Sequence, residues 1–240
     1  MRRARAVVLA ALVVLAACSG GDDDDDDDDD REASGSATAL SAEDAQAIVD
    51  GALLDAGDLG EGWELSSTIP ADEEEPTPAD ECVGEDDVDN ADLAESEERR
   101  FTGPRDAVVA PEVGISAGAA TDPATLARIH DVLADTEVQS CLRDTFQSTM
   151  GEGGLEIGEP TFAEGIVVGV DVEVESSRLT MPMVFGTGSG AVHAVVELVY
   201  VTAGQVGAGI FAFGLDGAIT DEQLTDWATE VAGRLTGPVS

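Results

Sequence analysis

Three cysteines are the residues of this chain best suited to chemistry, because a thiol can be acylated, oxidised or bound to a metal. Cys82 and Cys141 lie in the body of the sequence, and an even pair in an exported protein usually forms a disulfide. The loop of roughly 60 residues between them predicts a stabilisation on the order of 4 kcal/mol. Two free thiols are the alternative. A metal site is disfavoured, because the chain has no Cys-x-x-Cys motif and only two histidines.

The third cysteine, Cys18, directly follows a predicted amino-terminal export signal. Arginines at positions 2, 3 and 5 precede an apolar run, residues 6–17, that is too short to cross about 30 Å of hydrocarbon as a helix. The sequence Leu15-Ala16-Ala17-Cys18 resembles a bacterial lipobox. That resemblance implies that residues 1–17 are a signal peptide and that lipid is attached to the Cys18 thiol. An ordinary signal with a chance cysteine is the alternative.

Ser116 lies in a Gly-x-Ser-x-Gly sequence, residues 114–118, which matches the nucleophile motif of α/β-hydrolases. His193 and an intervening aspartate such as Asp171 would complete the chain order of that triad. The serine of the motif should begin a helix, whereas the helix-start signal comes later, at Thr121-Asp122-Pro123. We therefore expect Ser116 at the end of a strand, and an anchored serine hydrolase remains only an alternative function.

Trp63, His193 and Trp227 are candidates for lining a binding cleft. His193 shares a predicted strand face with Glu197, and the two could form an acid–base couple. A partly buried histidine with satisfied hydrogen bonds is the more common outcome, for His193 as for His130. The two tryptophans are more often core residues. No set of residues indicates a cofactor or a metal ion, and we expect neither.

Acidic residues dominate the charge of the chain. There are 51 Asp and Glu against 11 arginines, with no lysine, and the formal net charge is −40. Such a chain lacks the clustered cations that nucleic acids and anionic lipid headgroups attract, so we expect no nucleic-acid partner. Removal of residues 1–17 would take away three arginines and leave −43.

The distribution of charge also divides the chain into an acidic tether and a folded domain. Nine consecutive aspartates, Asp22–Asp30, lie within residues 18–38, which we expect to be a lipidated, disordered and extended tether. The hydrophobic content of 43% is ordinary for a globular protein. Residues 39–240 are therefore expected to fold as a single extracytoplasmic domain with a large core.

Apolar residues at helical spacing predict four helices in this domain. The first starts at Ser41, the second starts at Thr121-Asp122-Pro123, the third carries Cys141, and the last is capped by Thr220 with Gln223 three residues on. Residues 71–98 are acidic and contain prolines, so we expect an irregular excursion there. A bond between the two cysteines would fasten that excursion to the core.

Alternating patterns predict strands over residues 168–174 and 179–185, and a run that is apolar on both faces predicts a central strand over residues 192–201. Further strands are expected over residues 99–103, 107–116 and 206–215. Pro182 suggests a sheet edge or a bulge. The glycine-rich residues 186–190 are expected to form a hairpin turn, since no lysine accompanies them as in a phosphate-binding loop. Strands joined by tight turns are antiparallel. The predicted fold class is α+β, an antiparallel meander sheet with helices packed on one face.

The segment Leu53–Trp63, LLDAGDLGEGW, resembles the LL-x-A-x-DLP-x-GW opening of many actinobacterial lipoproteins, with Gly60 in place of the usual proline. Cys141-Leu142 and the order of elements extend the similarity over most of residues 40–240. That group is similar to the extracellular sensor domains of actinobacterial receptor Ser/Thr kinases, which have two disulfides where this chain can form one. It is more distantly similar to the Mog1/PsbP-like sandwich. The resemblance implies a non-enzymatic module with a cleft for a ligand or an envelope partner.

These features together predict a lipid-anchored lipoprotein that faces outside the cytoplasm. Its domain is expected to bind a small ligand, a cell-wall component or an envelope protein, without acting as an enzyme. The alternatives are the hydrolase based on Ser116 and a purely structural acidic envelope protein.

Overall fold

The computed structural model describes residues 40–71, 82, 93–104, 109–150, 155–167, 174–186 and 190–237. The predicted signal peptide (residues 1–17) and tether (residues 18–38) lie outside these residues. The described part contains five helices: α1 (Ala42–Ala52), α2 (Ala56–Leu59), α3 (Pro123–Ala134), α4 (Thr136–Met150) and α5 (Asp221–Leu235).

The described strands form one nine-stranded sheet in which every pairing is antiparallel. They are β1 (Glu64–Ile69), β2 (Ala94–Glu95), β3 (Glu98–Thr102), β4 (Glu112–Ala119), β5 (Leu155–Ile157), β6 (Thr161–Glu164), β7 (Glu175–Phe185), β8 (Val192–Ala203) and β9 (Val206–Leu215). The order is β1-β3-β4-β9-β8-β7-β5, with β2 beside β4 and β6 beside β7. The predicted α+β class with an antiparallel sheet is confirmed.

The helix starts follow the predicted capping residues. The Ser41 side chain accepts a hydrogen bond from the amide of Asp44, and Asp122 accepts one from Ala124 with Pro123 in the first turn. Thr220 and Gln223 form a reciprocal capping box. In each case a side-chain oxygen satisfies an amide that has no partner within its own helix.

The helices lie on both faces of the sheet, so the prediction that they share one face is wrong. Because side chains alternate along a strand, Val199 and Val201 of β8 enter one core cluster, while Leu198 and Tyr200 enter another. The face that carries Val199 packs against α1, α2 and α5, and together they are called the first layer. The face that carries Leu198 packs against α3 and α4, and together they are called the second layer. The central strands β4, β9 and β8 are buried on both sides over most of their length.

Four described strands, β1, β2, β5 and β6, were not predicted. The predicted strand at 107–116 instead spans Glu112–Ala119. The strand predicted at 168–174 falls almost entirely on residues 168–173, which lie outside the described residues. β7 and β8 pair directly before and after residues 186–190, as a hairpin requires.

Pro182 is not at the edge of the sheet, but it lies beside an irregularity, because the partner of β7 changes there from β5 to β6 and the register shifts by one residue. It lies opposite Val195 of β8, and its other side faces the place where β5 ends and β6 begins. Its carbonyl accepts a hydrogen bond from Gly158 in the β5–β6 connection. The missing N–H of the proline therefore points at a gap between two short strands, where no ladder hydrogen bond is lost.

Most of the predicted excursion, residues 71–98, lies outside the described residues. Its described end is not irregular, because β2 and the first residue of β3 belong to the sheet. Ser96, between these strands, donates its amide to the carbonyl of Ala117 and accepts the Ala117 amide at its hydroxyl. Strand pairing thus resumes before the acidic stretch ends.

Candidate functional site

The predicted disulfide between Cys82 and Cys141 is confirmed. The two Cα atoms are 5.5 Å apart and the residues are 59 positions apart in the chain. Cys141 belongs to α4, and Cys82 packs against the core of the second layer with its sulfur 3.4 Å from the Thr145 hydroxyl. The bond therefore fastens residue 82 to α4 in the second layer.

The two tryptophans contact each other in the first layer. Their ring centroids are 5.6 Å apart and the rings are nearly perpendicular, an edge-to-face geometry that aromatic pairs favour. Trp63 is 7% exposed and Trp227 is 4% exposed, so both are core residues. His193 lies at the exposed start of β8, opposite Val184 of β7. A cleft lined by Trp63, His193 and Trp227 stays a prediction.

The nucleophile-elbow interpretation of Ser116 is wrong. Ser116 lies in the interior of β4, opposite Gly209 of β9, and is 6% exposed. The motif requires a sharp turn from a strand into a helix, whereas β4 continues to Ala119 and α3 begins at Pro123. The expected position at the end of a strand is also wrong by three residues. Asp171 lies outside the described residues.

Glu197 pairs with Arg178 and Thr180, and the predicted acid–base couple with His193 does not form. The Glu197 carboxylate accepts two hydrogen bonds from the Arg178 guanidinium, at 2.8 and 2.7 Å, and a third from the Thr180 hydroxyl at 2.6 Å. Arg178 also binds Asp221, the first residue of α5, at 2.7 Å. The hydrogen bonds that Arg178 donates to Glu197 raise the pKa of Arg178 most strongly, and burial opposes them. This charged group joins β7, β8 and α5 in the first layer.

His130 is the centre of a second polar group, which lies in the second layer. Its Nδ1 atom is 2.8 Å from the Ser177 hydroxyl of β7, and its Nε2 atom is 3.0 Å from the Thr202 hydroxyl of β8. Ser177 and Thr202 are buried, whereas the imidazole itself is half-buried. Burial lowers the pKa of His130, while the negative charges of Glu175, Asp131 and Glu164 raise it.

Tyr200 completes this group from β8. Its ring lies 5.3 Å from the His130 ring, centroid to centroid, and burial raises the pKa of its hydroxyl. The hydroxyl lies over Gly207 of β9, where a Cβ atom would come within 2.7 Å of it and 3.2 Å of Thr202. Gly207 thus leaves the space that Tyr200 occupies.

Sequence reasoning placed His130 correctly on the inner side of its helix, and the expectation of satisfied hydrogen bonds holds. It did not identify the partners, which lie 47 and 72 residues away in the chain. It also missed Arg178 and Asp221. No local signal marks Arg178, because it alternates with Leu179 and Met181 and takes the position where the pattern predicts exposure to solvent.

Within the described ranges, no helix is both long enough and apolar enough to cross a membrane. Among the same residues, the His, Cys, Asp and Glu side chains do not gather into a group of three that could hold a metal ion.

The described architecture is an open antiparallel sheet between two layers of helices. No protein-family profile matches the sequence, and no curated protein is significantly similar to it. Among solved structures, it is similar to the extracellular domain of PknH from Mycobacterium tuberculosis, with 11% identity and a TM-score of 0.40 over 80% of this chain and 96% of that one. The expected similarity to kinase sensor domains is therefore supported only as a distant resemblance.

Proposed function

We propose that this protein is a lipid-anchored lipoprotein facing outside the cytoplasm, whose α+β domain binds a ligand or partner without catalysing a reaction. The observation that carries the location is the disulfide between Cys82 and Cys141. Structural disulfides persist in oxidising compartments and are rare in the cytosol. The export signal that ends at Cys18 supports the same location from the other end of the chain.

Lipid on Cys18 would supply the membrane contact. Each buried CH₂ group contributes about 0.8 kcal/mol, so two or three acyl chains hold a protein firmly on a bilayer. Residues 18–38 could extend up to about 70 Å at 3.3–3.6 Å per residue, and their aspartates would repel an anionic surface. The domain would then be displayed away from the lipid.

The contacts of three candidate catalytic residues support the non-catalytic part of this proposal. Ser116 is held inside β4, and the Glu197 carboxylate is occupied by Arg178 and Thr180. Both ring nitrogens of His130 are engaged by hydroxyl groups. An acid–base catalyst needs a nitrogen or oxygen within reach of a substrate proton, and these three residues direct theirs at the protein itself.

The anchor is tested by the Cys18→Ser variant. We expect the wild-type protein in the membrane fraction with a lipid mass on its amino-terminal residue, and the variant as precursor or in the medium. The Cys82→Ser/Cys141→Ser variant is the matched control, because it also removes thiols but should remain in the membrane fraction. Unchanged fractionation of the Cys18→Ser variant would contradict the lipid assignment.

Binding is tested by native mass spectrometry of the mature protein released from its own host in mild detergent. A reproducible mass added to the folded domain, and lost on unfolding, is the expected result. Small ligands and cell-wall fragments would be distinguished from envelope proteins by the size of the added mass. A bare domain in every preparation would favour a structural role.

A further inference from the structure

We infer that four side chains on the first face of β7 and β8, those of Pro182, Val184, His193 and Val195, form a patch that docks a lysine- or arginine-bearing segment of a partner protein. The inference rests on the proposed binding function and gives that function a place and a kind of partner. Three properties of the patch support it: the patch is open to solvent, it is largely apolar, and its rim is acidic.

The patch is open because it lies beyond the helices of the first layer. Helices α1 and α5 pack against β4, β8 and β9, and the start of α5 reaches β7 through the ion pair of Asp221 with Arg178. From Arg178 to Val184, buried side chains alternate along β7 with side chains that are partly exposed. Pro182 and His193 are exposed. One side of this part of the sheet therefore faces solvent.

The four side chains form one block on two neighbouring strands. Pro182 lies directly opposite Val195, and Val184 lies directly opposite His193. The Cβ atoms of such cross-strand pairs are about 4.5–5.5 Å apart. The solvent-facing side of a strand normally carries polar residues, as it does at Thr180. An exposed apolar group with a polar rim is typical of a contact site for another protein.

The rim of the patch carries exposed carboxylates. On the outer side, Glu156 of β5 lies directly opposite Val184. On the inner side, the amide of Asp216 donates a hydrogen bond to the carbonyl of His193. Glu156 and Asp216 are exposed, and the side chain of Asp221 at the start of α5 is 85% exposed. A segment that lies on the patch would therefore meet negative charge on both sides.

This charge selects the partner. The chain has no lysine, and Arg178 at the rim is already bonded to Glu197 and Asp221. A second copy of the chain would bring the same net charge of −40, and an anionic lipid surface would be repelled as well. Lysine and arginine fit because their stems can cover apolar surface while their charged ends reach carboxylates.

The shape of the patch favours a protein segment over a small molecule. Small ligands bind in concave pockets that enclose most of their surface. The patch is instead a sheet face, with the start of α5 on one side and the connection from β5 to β6 on the other. An extended segment of a partner protein can lie along such a face.

NMR of the mature chain, observing the two histidine rings, tests this docking. The probe is a short peptide of alternating lysine and valine, and the control is the same peptide with glutamate in place of lysine. We expect the lysine peptide to shift the ring signals of His193, which belongs to the patch, and to leave those of His130 in the second layer unchanged. Binding to the aspartate run of the tether would shift neither ring.

The apolar contribution is tested by Val195→Thr, which keeps a β-branched residue in the strand. It should weaken binding, measured at His193, by about fivefold because apolar contact is lost. Leu65→Thr is the matched control, since Leu65 is an apolar strand residue that is 53% exposed on β1, and it should leave the affinity unchanged.

The charge of the rim is tested by Glu156→Gln/Asp216→Asn. This variant should weaken binding by about two- to fivefold, as expected for exposed ion pairs. The matched control is Glu43→Gln/Glu137→Gln, which removes two exposed carboxylates from α1 and α4 and should have a smaller effect. If Val195→Thr fails to fold, this pair of variants decides.

Unshifted His193 signals, equal binding of the glutamate peptide, or equal effects of a variant and its matched control would overturn the inference. Native mass spectrometry separates this failure from that of the proposed function. A native added mass that is retained equally by wild type and by a variant combining the Val195, Glu156 and Asp216 substitutions would overturn the docking surface, while the proposed binding function would stand.

Discussion

Two adjacent residues of β7, Ser177 and Arg178, point to opposite faces of the sheet and fix a helix on each. Arg178 holds the start of α5 in the first layer through Glu197 and Asp221. Ser177 holds the middle of α3 in the second layer through His130. The first contact is made of charges and the second of neutral groups. One strand can therefore position helices through two kinds of contact, one charged and one neutral, which respond differently to the environment.

The charged contact is insensitive to pH near neutrality, because its hydrogen bond to Glu197 raises the pKa of Arg178 and keeps the guanidinium charged. The neutral contact depends on an imidazole, the side chain whose ordinary pKa lies closest to physiological pH. The charge of the first contact should therefore stay constant over a pH range in which the charge of the second can change.

The largest effect is expected from removing the disulfide, which belongs to the second layer alone. The Cys82→Ser/Cys141→Ser variant should lose on the order of 4 kcal/mol of unfolding free energy, because its unfolded chain is no longer constrained. Urea denaturation measures the loss. Hydrogen exchange should show this loss in every segment that exchanges only through global unfolding, in α1 as well as in α4. A loss confined to α4 would show instead that the bond stabilises only the native contacts of its own layer.

The next effect concerns the first layer. Glu197→Ala leaves the guanidinium of Arg178 without its buried partner and should cost about 3 kcal/mol. The matched control is Asp221→Asn, since Asp221 binds the same guanidinium but its side chain is 85% exposed, and it should cost less than about 1 kcal/mol. Urea denaturation of both variants measures the difference. Similar losses would show that burial of Glu197 is not what matters.

The smallest effect is expected at Gly207. A Cβ atom there would press on the Tyr200 hydroxyl, and overpacking of this kind costs about 1–3 kcal/mol. Thermal or urea unfolding of Gly207→Ala measures the loss. Adding Tyr200→Phe removes the nearest atom and should recover part of it, so the two substitutions should not be additive. Full additivity would mean that the clash lies elsewhere.

Local signals in the sequence were sufficient for the parts of the fold that local interactions determine. Ser41, Asp122 and Thr220 cap their helices as predicted, because a cap involves residues only two or three positions apart. The long strand β8 is apolar on both faces, as predicted for a central strand, and β9 has the predicted bounds. The cysteine pair was predictable because the chain offers few other partners.

Tertiary contacts determined what was missed. β1 is exposed along nearly its whole length and has no apolar alternation, and β5 has three residues, too few for a periodic pattern. The placement of helices on both faces depends on which side of the sheet each connection takes, which periodicity does not encode. The partners of His130 and Arg178 could not be predicted from local patterns either, because each pairing joins segments that are distant in the sequence.

The distribution of aromatic residues gives each layer its own spectroscopic reporter. Both tryptophans of the chain, Trp63 and Trp227, are in the first layer, and its single tyrosine, Tyr200, is in the second. Indole fluorescence therefore follows one side of the sheet, and phenol absorbance follows the other. A separation of the two signals during unfolding would show, without any label, that one layer loses its packing before the other.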